Sequence, residues 1–412
     1  MAYNPAKLAK IMIKEQGAWG TAATVTASDQ TLVECELVIP APAQAAISTE
    51  TVNGDFYSSR VIAGAKADTT VSIKMPLHGW SESAPTASPA AAQLHADALL
   101  LKNALGGVSY DPHGYGTSTP GATANDKYTF VTAEYSAVDP GMALLFPVTS
   151  TPTYGVAWVK TLTAVGSDTE IAFLQDLASN DATAKQFGSI NTFLQTPTAL
   201  PLTMVYLGDD TASKITFSDG IVTKAKITAN PKEQPTLEVD IAFLTWTADG
   251  SGGGVAQYAY GLPQLPVCTG TNGARAVIAN TDTPMGSFEV EVTSEYAPIG
   301  QHSGDQGCSQ YLVTNRTVVA TVELPSSALN TDLGTIGDVS TIQVDLCTTP
   351  GRAMSLVMPA AQQMELSTLG DSDGLVSVTR TYQPRPYDDD GTDGSVAADD
   401  TPADKLFRVA FM

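Results

Sequence analysis

One short motif in the chain could perform covalent chemistry, the sequence Gly370-Asp371-Ser372-Asp373-Gly374. It has the G-x-S-x-G spacing of a nucleophile elbow, in which a strained turn between a strand and a helix exposes a reactive serine. Such an elbow also needs a histidine that follows the serine in the chain. Here alternating Val376 and Val378 predict a strand after the serine, and the last of the four histidines, His302, precedes it. The motif therefore predicts a turn between two strands, and we assign no catalytic residue.

Residues that could ligate metals occur in patterns that do not suit a metal site. His78, His95 and His113 are 17 and 18 residues apart, which fits neither a helical i, i+4 pair nor the usual zinc clusters. The acidic run 388–393 resembles a calcium loop, but an EF-hand needs glycine at its sixth position and glutamate at its twelfth, and this chain has aspartate at both. We therefore predict no metal and no cofactor site, and a solvated loop at 388–393.

The four cysteines give no sign of a shared site. Cys35, Cys268, Cys308 and Cys347 lie far apart and include no C-x-x-C pair. Neither a zinc site nor a disulfide framework is indicated by that spacing. The expected state is a set of buried free thiols.

Composition points to a β-rich structural protein. The 412 residues include 34 glycines and 25 prolines, and the runs between them are dominated by Thr, Val and Ala, which favours many short strands and turns. Only 16% of residues are charged, so much of the surface must be small and polar or buried against other chains. The formal charge of -22 argues against affinity for nucleic acid, because phosphate binding needs clustered Lys and Arg.

Segments that would target the chain to a membrane are not indicated. Residues 1–17 contain no continuous apolar stretch followed by a small-residue cleavage site, and no stretch reaches the 18 or so apolar residues of a membrane span. We expect the chain to be made and kept in the cytoplasm of its host.

Two similar hairpins organise the pattern of strands. Alternating apolar residues run from Ile215 to Phe243 around a turn at 230–235, and a related pattern runs from Met354 to Tyr382 around a turn at 369–374. A second matched pair is Val71 to Pro76 with Ala320 to Pro325, in which apolar and polar positions are in step and a proline ends each stretch. The chain therefore reads as two versions of one β-rich design, with the insertions in the first.

The strongest helix signal lies in the first version. Ser88 and Pro89 suit the start of a helix, an apolar stripe follows at Leu94, Ala98, Leu101 and Leu105, and glycines at 106 and 107 end it. The alternation of apolar and polar residues predicts further strands at 68–79, 128–135, 154–165, 170–174, 200–207, 288–292 and 405–411. The glycine-rich run 249–254 can add little to a core and predicts a linker at 249–266 between domains at 1–248 and 267–412.

The opening of the chain resembles the tail tube (major tail) proteins of long-tailed bacteriophages. That family begins with an arm of the form Lys-Glu, two or three residues, then aromatic-Gly-Thr, and this chain has Lys14, Glu15, Trp19, Gly20 and Thr21. The order that follows is also similar: an extended segment at 32–39, a polar loop at 40–66, an alternating strand and then a helix.

The resemblance implies a structural virion protein and no enzyme. Its expected fold is mainly β, with two tail-tube-like β-sandwich or β-barrel domains and one short helix in the first. Its subunits are expected to form homo-oligomeric rings that stack into a tube, with three chains per pseudo-hexameric ring favoured and six possible. Tail terminator, tape-measure and baseplate proteins would be its partners, and DNA would pass through an acidic lumen without specific binding. The implied location is the virion tail, after assembly in the host cytoplasm.

Two further expectations concern the alternative function and the stacking of rings. Another virion or surface β-protein, either a decoration protein or a glycan-binding module, is the competing interpretation.

In the tail tube family the segment equivalent to 40–66 reaches the adjacent ring, and here it is too long and polar for a tight hairpin. We therefore expect it to be a loop that becomes ordered on stacking.

Overall fold

The structure of the chain is a computed structural model, and it describes 26 segments of the sequence. They are residues 10–26, 30–31, 35–36, 42, 44–50, 59–66, 68–79, 96–106, 116–118, 121–124, 127–131, 140–148, 153–174, 185–187, 191–194, 200–207, 214–230, 233–249, 275–279, 281–283, 285–300, 308–326, 334–347, 352–372, 375–385 and 406–411.

The described residues are mainly β-strand, with a single helix among them, α1 at Ala96–Leu105. The strands of the first half are β1 (Lys10–Glu15), β2 (Gln30–Thr31), β3 (Gln44–Glu50), β4 (Ser59–Lys66), β5 (Thr69–Pro76), β6 (Gly116–Ser118), β7 (Gly121–Ala124), β8 (Lys127–Val131), β9 (Ala143–Val148), β10 (Thr153–Val165), β11 (Asp168–Phe173), β12 (Lys185–Phe187), β13 (Asn191–Leu194), β14 (Leu202–Leu207), β15 (Lys214–Ala229) and β16 (Thr236–Asp249). The strands of the second half are β17 (Arg275–Ile278), β18 (Thr281–Thr283), β19 (Phe288–Gly300), β20 (Cys308–Pro325), β21 (Val339–Asp345), β22 (Met354–Gln363), β23 (Thr368–Ser372), β24 (Leu375–Pro384) and β25 (Arg408–Phe411).

Sixteen of these strands form one antiparallel sheet that branches at β15. One edge of β15 pairs with β16 along nearly its whole length. The opposite edge pairs with β14 in its first part and with β19 in its second part. A register shift between Val222 and Lys224 marks the change of direction. Strands that bend at such irregularities can pass from one layer of a β-structure to another.

The same branch occurs at β22, and the pairings around it repeat those around β15. Gly220 pairs with Phe243 and with Leu202, just as Ala361 pairs with Pro384 and with Ser340. The register shift also recurs, because one residue of β14 and one residue of β21 are left out of the pairing at matching positions. We call β1, β2, β5, β14, β15 and β16 the first repeat, and β17 to β25 the second repeat.

The edge strands carry the repeat further along the chain. Pro76 of β5 pairs with Thr236, and Pro325 of β20 pairs with Ser377. The residue after each proline donates its backbone N–H to the residue before the partner, from Leu77 to Pro235 and from Ser326 to Val376. The matched stretches predicted from the sequence at 71–76 and 320–325 therefore occupy the same place in the pairing.

Both branches bury apolar side chains in one core. Alternating residues of β5, β15, β16, β19 and β20 point into it, together with residues of β1, β14, β21, β22 and β25. The helix α1 is buried in the same core. Since strands from both branches cover this core, they form two layers around it.

Polar side chains hold the first branch point in place. Asn103 of α1 accepts a hydrogen bond from the N–H of Val222 at 2.7 Å and donates to the carbonyl of Leu200 at 2.6 Å. Gln16 accepts from the N–H of Asp219 at 3.0 Å, and Asp219 has a positive φ of 57°. These side chains satisfy backbone groups that the regular ladder leaves unpaired at the bend.

The insertion in the first repeat packs against the second repeat. Strands β7 to β11 form a separate five-stranded sheet. Trp158 of β10 is buried and donates its Nε1–H to Ser355 of β22 at 3.0 Å. Gln343 of β21 donates to the carbonyl of Val156 at 2.9 Å. The insertion therefore packs on the second repeat, on the side of the sheet away from the main core.

Most predicted elements are confirmed, with changes in their bounds. The helix is present over 96–105 and ends before Gly106, whose φ is 102°. The hairpin around 230–235 is confirmed, and the arm at 10–15 is a strand. Residues 80–95 and 250–274 lie outside the described part of the chain, so the predicted helix start and nearly all of the linker are untested.

Three predictions about hairpins and loops are wrong. The stretch 354–382 is not one hairpin, because β22 and β24 pair only at 361–363 and β23 lies between them in the chain, paired with β24. The turn predicted at 369–374 is mostly strand, since β23 continues to Ser372. The segment 40–66 contains the paired strands β3 and β4 instead of a loop. Alternation in short polar strands is too weak to separate strand from loop in the sequence.

Candidate assembly surface

The serine of the G-x-S-x-G motif lies in a sheet. Ser372 is the last residue of β23, and β24 begins at Leu375, so a strand follows where an elbow needs a helix. The motif therefore connects two strands, as predicted, but its first three residues belong to β23 and not to a turn.

Of the four histidines, His78 is the one that lies in the described residues, and it contacts Asp97 of α1. Its backbone N–H donates to the Asp97 carboxylate at 2.7 Å, and its ring Nδ1 lies 3.2 Å from the same oxygen. Both residues are buried, so the pair fixes the end of β5 to α1. His95, His113 and the run 388–393 lie outside the described residues. Within the described part, no group of three or more His, Cys, Asp or Glu side chains could hold a metal ion.

The expectation of four free thiols is wrong for one of them. Cys347 is disulfide-bonded and fully buried, whereas Cys35 and Cys308 are free. Cys268 lies outside the described residues. This disulfide could not be predicted from the spacing of the cysteines, because tertiary contacts bring disulfide partners together.

The opening motif connects the first repeat to its surroundings. Glu15 forms an ion pair with Lys102 of α1 at 2.7 Å. The N–H of Gly20 donates to the Asp219 carboxylate at 2.7 Å. Burial raises the pKa of that carboxyl, and the hydrogen bond from Gly20 partly offsets the effect. Trp19 packs edge-on against Tyr311 of β20, with ring centroids 6.0 Å apart. The motif thus ties the N-terminal arm to the branch point and to the second repeat.

One layer of the structure is a sheet that runs through both repeats. We call it the through-sheet, and its strand order is β5-β16-β15-β19-β20-β24-β23, with the second part of β15 and the first part of β16. One face of the through-sheet covers the core. The other face is polar and partly exposed, as the alternating burial of β5, β19 and β20 shows.

The polar face carries a row of alternating charges across the first repeat. Pairing brings together, in order across the strands, Glu36, Lys74, Glu238, Lys226 and Glu291. In the four rows of this face that pass through Ser287, Glu289, Glu291 and Thr293, six carboxylates accompany three amines. The carboxylates are Glu36, Glu238, Asp240, Glu289, Glu291 and Glu323, and the amines are Lys74, Lys224 and Lys226.

Two ion pairs span the junction between β15 and β19. Lys224 lies 2.9 Å from Glu291, and Lys226 lies 2.8 Å from Glu289. The hydrogen bond and charge of Glu291 raise the pKa of Lys224. Burial alone would raise the pKa of Glu291, but the hydrogen bond and charge of Lys224 outweigh it and lower that pKa. The junction between repeats is therefore electrostatically matched as well as hydrogen-bonded.

The through-sheet has two ends. At one end Glu36 pairs with Lys74 beside β5. At the other end β23 pairs with β24 on one edge, and no strand of the described part pairs with its other edge. Open edges of this kind present unpaired N–H and C=O groups that can join another chain.

No protein-family model matches the sequence, and no curated protein is significantly similar to it. No helix in the described residues is long and apolar enough to cross a membrane.

Proposed function

We propose that the chain is a structural subunit that polymerises into stacked rings and forms the tail tube of a long-tailed bacteriophage. The observation that carries the proposal is the repeated pairing of two sets of strands, joined by the sheet contact between β15 and β19. A unit that already pairs edge to edge with a second unit in the same chain can extend that contact to further chains. The resemblance of the opening motif and of the strand order adds to it.

The proposed ring consists of through-sheets joined at their ends. Two tail-tube-like units per chain would let three chains build a ring of six similar units, whereas one unit with an outward addition would need six chains. The repeated registers favour three. The rings would stack into the conduit for DNA ejection and contact tail terminator, tape-measure and baseplate proteins in the virion.

The direct test is to purify the protein and follow its assembly with concentration and time. Negative-stain images should show rings or hollow rods, and mass photometry should show a species of three times 42.9 kDa. A species of six chains with sixfold symmetry would contradict the trimer. A monomer that stays monomeric and binds glycans would replace the proposal with the decoration or glycan-binding alternative.

The hairpin of β3 and β4 is proposed to connect adjacent rings. It forms its own two-stranded sheet beside the large one. Deleting 44–64 should leave the fold and the single rings intact but prevent stacking into tubes. Circular dichroism checks the fold of the deletion variant, and electron microscopy checks the tubes. Tubes of normal length from this variant would contradict the role.

A further inference from the structure

Exposed apolar side chains are concentrated at one end of the second repeat. Ten large hydrophobic side chains are exposed in the described part of the chain, and six of them belong to this region. We call these six the end patch: Ile336, Val339, Met364, Leu366, Leu369 and Val376. Concentrated exposure of this kind marks a contact with another protein more often than an ordinary surface.

Backbone contacts place these residues around the open end of the through-sheet. The N–H of Gly337 donates to Gln363, and Gln363 donates to Asp338, so the segment before β21 lies beside the end of β22. The N–H of Met364 donates to Thr381 of β24 at 3.0 Å. Leu369 lies on β23 itself, paired with Val378. The end patch therefore surrounds the unpaired edge.

The first repeat shows how the equivalent edge is covered. In the matched register, Leu369 occupies the place of Ile227, because β23 pairs with β24 as the second part of β15 pairs with β16. Ile227 is only 2% exposed, whereas Leu369 is 53% exposed. β19 pairs with the edge of β15 beside Ile227, and α1 packs on the same core. The structure describes no strand in the equivalent place beside β23.

The contact between β15 and β19 also defines what would fit β23. The start of β19 in the second repeat corresponds to Glu36 in the first repeat. Glu36 pairs with Lys74 of β5, and at the matched position of β20 the N–H of Glu323 donates to the carbonyl of Ser287, while the carbonyl of Glu323 accepts from Gly286. The fitting occupant is therefore the first repeat of a second copy of this chain.

Charge separates the junction inside the chain from the junction proposed between chains. Inside the chain, Lys224 and Lys226 face Glu289 and Glu291. On β23, Thr368 stands where Lys226 stands on β15. If the two junctions were exchanged, Lys226 would face neither Glu289 nor Glu291, so the charges favour keeping β15 with β19 inside the chain.

We propose that the open edge of β23 and the end patch bind the Glu36 end of the through-sheet in a second copy, head to tail. This inference rests on the proposed function and specifies which two surfaces meet. The contact uses different surfaces on the two chains, so it propagates until it closes into a ring. If the register of β15 with β19 is carried over to β23 and extended by one residue, Ser372 lies opposite Glu36 of the next copy.

Charge reversal in the end patch tests the proposal. Leu369→Glu should keep the melting temperature of the monomer, because the side chain is exposed, but weaken assembly at least about tenfold. The matched control is Val165→Glu on the insertion, where a valine that is 48% exposed lies away from the end patch. This control should assemble like the wild type. Assembly is measured by analytical ultracentrifugation and negative stain.

A directed disulfide tests the register. In a Cys35→Ser, Cys308→Ser background, the pair Glu36→Cys and Ser372→Cys should give covalent dimers and larger species on oxidation, up to the size of the ring. Paired residues in antiparallel strands lie close enough for a disulfide. Glu36→Cys or Ser372→Cys alone should give none of these species.

The outcomes separate the two proposals. Rings in the wild type, with Leu369→Glu assembling normally and no interchain disulfide, would overturn this contact and leave the proposed function standing. A wild-type protein that never assembles at any concentration would overturn both. Loss of assembly in Leu369→Glu together with the disulfide ladder supports the contact.

Discussion

The two repeats share their pairings but differ in the side chains that the pairings bring together. In the first repeat, the polar face carries Glu36, Lys74, Glu238 and Lys226 in one row. The matched row of the second repeat is Ser287, Glu323, Thr379 and Thr368. One backbone arrangement thus supports a charged surface in one place and a nearly uncharged one in another. Register is set by the backbone and the apolar pattern, and the exposed side chains are free to distinguish one junction from another.

The two repeats place different residues opposite each other at the matching bend of the strand. The first repeat puts glycine at 220 opposite the large Phe243, and the second puts Ala361 opposite Pro384. A β-carbon on Gly220 would lie 2.3 Å from the ring of Phe243. That ring is fully buried and packs on Phe217 at 5.5 Å, so it has little room to move. Glycine is required in the first repeat by close packing, and the second repeat does not share the requirement.

The largest effect is therefore expected from Gly220→Ala. Overpacking of a tight core costs about 1–3 kcal/mol and occasionally more, and this site belongs at the upper end because the ring is confined. Urea unfolding should show the loss as a lower midpoint with an unchanged slope. Gly17→Ala is the control, because nothing lies within 4 Å of its new β-carbon. Equal stability of the two variants would show that the bend relaxes freely.

A smaller effect is expected from removing the amide of Asn103. Asn103→Ala leaves the buried N–H of Val222 without that partner, at a cost of about 2 kcal/mol, and it also removes the part-buried hydrogen bond to the carbonyl of Leu200. Asn230→Ala is the control, since Asn230 is an exposed turn residue that bonds Glu233. Urea midpoints of the two variants measure the difference. A loss of stability in Asn230→Ala, with none in Asn103→Ala, would contradict the role of α1. In the second repeat, no helix in the described part contacts the matching bend.

The sequence predicted the strands and the repeat better than it predicted the surfaces. The apolar alternation of β15, β16 and β20 is strong because one face of each strand is buried, and the predictions for them hold. The short polar strands β3 and β4 and the break between β22 and β23 lack that contrast and were missed. The disulfide at Cys347 and the alternating charge row depend on which strands become neighbours. Such neighbours are fixed by tertiary pairing, which no local pattern reports.

A still smaller effect is expected from the ion pair that joins the repeats. A double-mutant cycle of Lys224→Gln and Glu291→Gln should give a coupling below about 1 kcal/mol, because each side chain is about one-third exposed. The coupling should be full between about pH 5 and pH 10. It should be lost as the pH falls from 4.5 through the lowered pKa of Glu291, and as it rises from 10.5 through the raised pKa of Lys224. A coupling that is unchanged at pH 3 would contradict the pair.

The last prediction concerns the charge of the polar face and leaves stability nearly unchanged. Six carboxylates and three amines make this face acidic, and an acidic wall repels duplex DNA, whereas exposed Lys and Arg would hold it by releasing counterions. We expect the polar face to line the tube, so that the wild type does not retain DNA at low salt.

Reversing two charges on that face should create affinity that the same charges elsewhere do not. Glu238→Lys with Glu323→Lys should give DNA binding in assembled tubes, measured by fluorescence anisotropy, with a salt slope of about 0.9 for each phosphate contacted. The control is Glu233→Lys with Asp168→Lys, which has the same net charge at positions in the 230–235 turn and in the insertion, away from the polar face. Equal binding by both variants would mean that the polar face does not meet the DNA. A tube structure with a net positive lumen would contradict the prediction independently, because the acids would then serve only the outer surface.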